Sequence, residues 1–256
     1  MNDWSPHSYL RFAAERTRPA RDLVARVPLG HPRLVYDLGC GPGNSTEVLI
    51  EAFPQAEVIG IDKSPAMLEQ ARVACPSAAF EQADLAHWLP ERRADLLFSN
   101  ATFQWLPDHV PLLQRLIGHL EPGGVLALQM PDNLDEPSHR LMEEVAWEGP
   151  WRETLADAAA ARAALPSPAA YYDALRPLAE RLDLWHTIYH HPLDGVKGIV
   201  QWLMATGLKP YLDPLDEAAR QGFLAAYEAE LALAYPAAAD GTVLLRFPRL
   251  FIVAQL

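Results

Sequence analysis

The stretch Asp37-Leu38-Gly39-Cys40-Gly41-Pro42-Gly43 narrows the fold of this chain more than any other. It begins inside Leu34-Val35-Tyr36-Asp37-Leu38, which reads as a buried strand, and leads into a helical pattern over about 44–53. Glycines at alternate positions permit backbone conformations closed to other residues. They also let a ligand approach main-chain N–H groups at a helix N-terminus. A strand, a glycine turn and a helix form the opening unit of a parallel α/β sheet that binds ligands at its strand ends.

The same alternation continues downstream. Val58-Ile59-Gly60-Ile61-Asp62 is a second strand, and Ser64-Pro65 starts the next helix with an N-cap and a proline at its first position. Phe80 to Ala83 is a short third strand, and Asp95-Leu96-Leu97-Phe98-Ser99 is the fourth, with a helix over about 107–120 behind it. After the turn Glu121-Pro122-Gly123-Gly124, Val125 to Gln129 makes the fifth. Strands separated by helices pair in parallel through right-handed crossovers. Beyond Met130 the rhythm breaks. Residues 133–178 read as helical and Ala-rich, Leu182 to His190 as a strand, and 195–235 as two or three helices. Residues 242–254 read as one long strand or two, with Pro248 marking a bulge or an edge. The expected architecture is a single α/β domain over 1–256 with a mostly parallel sheet. Its core covers about 30–131 with 182–192 and 242–256, and a helical lid is inserted from 133–178 and 195–240.

Composition removes several function classes. The formal net charge of −12 disfavours a nucleic-acid partner, because a phosphate backbone repels such a surface. No apolar run reaches the ~18 residues of a spanning helix. The N-terminus has neither the basic nor the apolar region of a secretory signal. Two cysteines, Cys40 and Cys75, make no disulfide framework, and no Cys/His cluster has zinc spacing. A cytoplasmic protein with no membrane, nucleic-acid or metal partner is expected. Of the 21 basic residues 18 are arginine, the side chain best shaped to grip a carboxylate.

A glycine turn alone also fits a dinucleotide site, and two details favour another ligand. The spacing is G-x-G-x-G, and Asp37 precedes the first glycine by two positions. A carboxylate there suits a ligand with an ammonium group better than a pyrophosphate, although it also serves simply to order the loop. Asp62 ends the second strand, where a carboxylate accepts hydrogen bonds from ribose hydroxyls. Asp84 follows the third strand within Ala83-Asp84-Leu85, and Asn100 follows the fourth. Each aspartate has a plainer reading as an N-cap or turn residue.

These residues resemble class I S-adenosylmethionine (SAM) dependent methyltransferases. Asp37 to Gly43 is similar to that family's first motif, Gly60-Ile61-Asp62 to its ribose-binding strand end, and Leu120-Glu121-Pro122-Gly123-Gly124 to its late turn. The resemblance alone implies that the last strand of the sheet is antiparallel. It implies a Rossmann-like sheet binding SAM, with S-adenosylhomocysteine as product. It implies donor contacts from Asp37, Gly39, Cys40, Gly41, Gly43, Asp62, Lys63, Asp84, Leu85, Asn100 and Arg16. Further segments, among them Asp3-Trp4-Ser5-Pro6, 101–109, Gln129-Met130-Pro131-Asp132-Asn133 and 247–254, resemble the trans-aconitate methyltransferase family over nearly the whole chain; residues 150–170 depart most.

That finer resemblance implies methyl-ester formation on a carboxylate of trans-aconitate or a close small polycarboxylate. A carboxylate is ionised at neutral pH, so no general base is expected, and Gln104 and Trp105 are candidates for positioning alone. Arg11, Arg18, Trp105, Tyr171, Tyr172, His190, Trp202, Arg246 and Arg249 are the candidates for holding the substrate. Plainer readings stay open for several: core packing for Trp105, one packed and one solvated ring for His190-His191, and an exposed strand face for Arg246 and Arg249. Methylation of another small metabolite at oxygen or nitrogen, or SAM binding without catalysis, are the competing functions.

Overall fold

A computed structural model describes residues 13–158, 163–204 and 206–256. Arg11 and the segment Asp3-Trp4-Ser5-Pro6 lie outside the described residues. The described chain clusters into two compact units. The first contains residues up to 131 together with 165–187 and 250–256, and the second contains 132–164 and 188–249.

The first unit carries the sheet. Strands β1 (Leu34–Leu38), β2 (Glu57–Asp62), β3 (Ala79–Gln82), β4 (Ala94–Asn100), β5 (Leu120–Pro131), β6 (Arg181–Asp194) and β7 (Thr242–Gln255) lie in the order β3-β2-β1-β4-β5-β7-β6. All five residues of β1 are buried, as expected for a central strand covered on both faces. Parallel registers place Asp37 beside Gly60 and Phe98, and Asn100 beside Gln129. Leu256 N–H donates to Gly124 O and Asp132 N–H to Pro248 O, so residue numbers run in opposite senses and β7 is antiparallel to β5. Class I methyltransferase topology is therefore present, including the antiparallel strand.

Helices cover the sheet because their apolar residues recur at the helical period. In His109–Ile117 the buried positions are 109, 112, 113, 116 and 117, one continuous stripe. Each buried leucine there contributes roughly 1.5–3 kcal/mol. The helix Pro168–Leu175 joins this core, with Tyr171 and Leu175 wholly buried in the same cluster. That differs from the expected lid over 133–178. The i, i+4 pair Tyr171/Leu175 faces the sheet unit, whereas Ala-rich composition alone says nothing about which surface a helix covers.

Strand β7 is continuous through Pro248 and lies between β5 and β6, so Pro248 is not on the outermost strand. The missing N–H falls where β7 passes from one unit to the other, and the Pro248 carbonyl still accepts from Asp132. Residues 188–194 of β6 and 242–249 of β7, although strands of the sheet, cluster with the second unit.

The second unit is built on Pro137–Glu148 and Glu217–Ala234, which pack on each other. Asp216 caps the latter by accepting from Ala219 N–H. Phe223 is the hub, edge-on to Trp151 at 5.5 Å and stacked near Tyr211 and Tyr227. The buried Tyr227 hydroxyl donates to Ser138 O at 2.5 Å, and Tyr235 Oη accepts from Ser138 N–H at 3.1 Å. Among the described residues, no helix is long and apolar enough to cross a membrane and no His, Cys, Asp or Glu group could hold a metal ion. Tyr227→Phe removes this hydroxyl's bond to the Ser138 carbonyl. Urea denaturation should show a loss of about 0.5–1.5 kcal/mol.

Candidate active site

The C-terminal ends of β1, β2, β3 and β4 meet at the glycine turn, all within the first unit. Gly39 and Cys40 N–H both donate to Ile61 O, tying the turn to β2. Gly39, Gly41 and Gly43 all have positive φ, at 76°, 54° and 101°. A Cβ on Gly39 would fall 2.2–2.7 Å from Thr102, whereas one on Gly41 would meet nothing within 4 Å. The turn is thus sealed against β4 on one side and open above Gly41. Gly43 caps the helix Asn44–Ala52 with no side-chain cap hydrogen bond, leaving backbone N–H groups of the first turn without a capping side chain.

Asp62 is the brace of this turn. Its Oδ2 accepts from Gly41 N–H at 2.9 Å, and its Oδ1 accepts from Ser64 N–H at 2.9 Å. Each oxygen retains a lone pair, so the fixed carboxylate can still accept from a vicinal diol. Asp37 lies fully buried beneath the turn. Its Oδ2 accepts from Ser45 Oγ and Thr46 Oγ1 at 2.8 and 2.7 Å, while its Oδ1 has no hydrogen-bond partner. Burial pushes the Asp37 carboxyl up from 3.8 to about 6, with the two hydroxyls pulling it down and Asp62 adding repulsion. An orphaned acceptor on a buried carboxylate fits a cationic ligand group. Cys40 is a neutral thiol, because burial and the nearby Asp37 and Asp62 push it well above the usual thiol range. Only its backbone is available to a ligand.

Asp84 is exposed and caps its own turn, accepting from Ala86 N–H at 3.0 Å. Its plainer reading is present, and one oxygen remains for a ligand. The Leu85 side chain is in the core and Lys63 is on the surface, so both can contribute main chain only. Asn100 Oδ1 accepts from Gln129 Nε2 at 2.5 Å, which leaves its amide N–H groups as the donors. Ser99 Oγ donates to Leu38 O and Thr102 Oγ1 to Gly39 O, stitching β4 to the turn. Ala101 is left-handed at φ 59°, which costs ~1–2 kcal/mol for a non-glycine residue. Gln104 is buried with Nε2 donating to Ala101 O at 2.7 Å and Oε1 unpartnered, while Trp105 is half-buried.

The basic and aromatic candidates separate by burial. In the helix Ala13–Val24, Arg16 is buried, whereas Arg18 faces solvent with Asp22 4.0 Å away. Neighbouring Thr17 accepts from Asn44 Nδ2, joining this helix to the N-terminus of 44–52. Arg18 is thus a solvent-facing residue. Tyr171 is removed as a substrate wall, since it is wholly buried with its hydroxyl on His109 at 2.6 Å; Tyr172 is exposed on the opposite side of its helix. In the second unit, His191 is buried against Trp202 at 4.4 Å, and His190 is solvated. Trp202 is therefore core, and His190 is a surface residue. Arg246 is half-exposed and ion-paired with Glu136. Arg249 is buried, its guanidinium over the Phe247 ring at 4.9 Å. The sequence reading passed over Ser45, Thr46, Thr102 and Gln129. Of these only the hydroxyl pair two and three residues after Gly43 carried a local signal.

Residues 35–124 match the model of a methyltransferase domain family. Over 254 residues, and 99% of both chains, the sequence is 59% identical to the trans-aconitate 2-methyltransferase of Rhodopseudomonas palustris strain BisB18. It is 56% identical to the enzyme so named from Paracidovorax citrulli, over 100% of this chain and 99% of that one. Among solved structures, the YcgJ protein of Bacillus subtilis is similar with a TM-score of 0.58 at 14% identity, covering 93% of this chain and 98% of that one. A phosphoethanolamine N-methyltransferase from Haemonchus contortus, solved with SAM, has a TM-score of 0.54 at 16% identity over 93% of this chain and 52% of its own. These structural likenesses speak to fold alone.

Gly39→Ala combines a left-handed alanine with a collision against Thr102. Thermal denaturation should show a loss of at least about 2 kcal/mol, and the same change in a Thr102→Ala background should cost less.

Proposed function

This chain belongs to the trans-aconitate 2-methyltransferase family, and on that premise we propose that it converts a carboxylate of trans-aconitate, or of a close small polycarboxylate, to a methyl ester using SAM. The observation that carries the proposal is the full-length identity of 56–59% to relatives of that name. Supporting it, the orphaned Asp37 Oδ1, the open face of Gly41 and the braced Asp62 fit the ammonium, backbone approach and ribose diol of SAM. Bound SAM supplies a methyl group on a positively charged sulfur.

The chain's own work is positional. A carboxylate acceptor is already ionised near neutral pH, so no residue has to remove a proton. What remains is to gather charge, exclude water and align three atoms, which can contribute ~7–11 kcal/mol at best. Asn100, Gln104 and Trp105, at the end of β4, are proposed to border the transferred methyl. Arg16 in the first unit is proposed to hold a carboxylate, because a guanidinium fork pairs with one bidentately. The acceptor is read as a small molecule and not a nucleic acid, on the net charge of −12. The buried free thiols Cys40 and Cys75 suit a cytoplasmic setting.

Pure protein incubated with labelled SAM and trans-aconitate should release a base-labile methyl ester, and no turnover on that acid would remove the substrate assignment. Asp62→Ala should weaken SAM binding by ~1.5–3 kcal/mol in calorimetry; unchanged affinity would remove the ribose role. SAM affinity should also depend on Asp37 ionisation. The ligand's ammonium favours the charged form, so affinity is full above about pH 6 and falls as pH drops through it. Asp37→Asn should bind more weakly and show a flat profile over the same range.

A further inference from the structure

The segment joining β4 to the helix 109–117 is bracketed by two left-handed residues that are not glycine, Ala101 at φ 59° and Asp108 at φ 50°. Such conformations persist only where the surroundings over-determine them, and they gather at functional sites. The near end is pinned by Ala101 N–H on Gln129 O at 2.9 Å and by Gln104 on Ala101 O. It is also pinned by Thr102 on Gly39 O. The far end is held by His109. Its Nδ1 faces Leu106 O at 3.0 Å, and because a carbonyl can only accept, that nitrogen carries the proton. Nε2 must then accept, and it does so from the Tyr171 hydroxyl at 2.6 Å. The His109 and Tyr171 rings stack at 5.8 Å, and Phe103, from inside the segment, meets His109 edge-on at 6.1 Å.

We infer that Tyr171 is a positioning residue for methyl transfer: acting through His109, its hydroxyl locks residues 101–108, which present Gln104 and Trp105 beside the glycine turn. The inference rests on the methyltransferase reading above and adds a residue that does not touch either reactant. A phenylalanine would fill the same space, so packing alone does not call for the hydroxyl. Without it, Nε2 is a buried acceptor with no donor, and the imidazole loses the partner that fixes its orientation and tautomer. The grip on Leu106 O then loosens, and the segment can relax from its two left-handed ends. Displacements of about 1 Å in a positioning group are enough to cost about 100-fold in rate.

The test compares full-length wild type with Tyr171→Phe and with Tyr227→Phe, which also removes a buried tyrosine hydroxyl bond but in the second unit. Trp105 and Leu106 N–H donate to Thr102 O and Phe103 O, so their hydrogen exchange reads the state of the segment directly. In Tyr171→Phe these two amides should exchange at least about tenfold faster, and kcat should fall about 10- to 100-fold, while SAM Kd and substrate KM stay within about twofold. Tyr227→Phe should change neither exchange nor kcat. Unaltered exchange in Tyr171→Phe overturns the clamp. Faster exchange with kcat within twofold, or an equal kcat loss in Tyr227→Phe, overturns the positioning role. A wild type inactive on trans-aconitate would overturn the substrate assignment alone, since exchange reads the clamp without turnover. Should Tyr171→Phe fail to fold, His109→Phe keeps a stacked ring, removes both nitrogens and is expected to give the same readouts.

Discussion

One carboxylate sets the geometry on which the first unit's ligand crevice depends. Asp62 ends β2 and accepts from Gly41 on one oxygen and from Ser64 on the other. A left-handed glycine turn has no stable shape of its own, and the tie to Asp62 converts it into a fixed surface of main-chain donors. Asp37 supports the same turn from below through Ser45 and Thr46, at the cost of a buried carboxyl whose proton affinity is raised. Two acids near one turn repel each other, and a positively charged guest relieves both. On the proposed reading, a preference for a cationic donor over a pyrophosphate would come from these two acids and not from the glycines.

The strand ends were legible in the sequence because each is marked by a local chemical change. Apolar runs stop at Asp62 and Asn100, and the glycine spacing after Leu38 admits few backbone paths. The parallel order of the core strands followed from the same rhythm, whereas the antiparallel β7 was implied only by the family resemblance. Side-chain direction was not legible. Arg16 and Arg18 are two residues apart on one helix and differ entirely in burial, as do Tyr171 and Tyr172 on another. Periodicity identifies which residues share a face but not which face meets protein. Similarly, the helix 168–175 has the composition of the lid segments before it, yet its Tyr171 and Leu175 belong to the sheet unit's core.

The division of labour in a carboxylate methylation also fits the observation that, among the described residues, no His, Cys, Asp or Glu group could hold a metal ion. An acceptor that is already charged asks only for alignment, and alignment is expressed as rigidity. Rigidity is what the residues after β4 display, with their left-handed ends, buried amide and aromatic stack. The second unit contributes a different kind of order, a Phe223-centred aromatic core and a buried arginine lying on Phe247. An arginine sheltered by a ring is less hydrated than one in water, and this strengthens its pull on an anion.

Both of the chain's cysteines belong to the glycine turn's own packing. Cys40 Sγ donates to Gly41 O, and Cys75 Sγ donates to Gly43 O at 3.5 Å while filling the space that a side chain on Gly43 would need. Burial holds both as thiols, Cys75 with its pKa pushed up to about 11. Alkylating reagents and oxidants attack the thiolate, so each cysteine is silent while the turn is closed. The molecule therefore carries an internal clock. The rate at which its sulfur atoms surrender to a reagent measures how often the glycine turn breathes open, and anything that steadies the turn slows that clock.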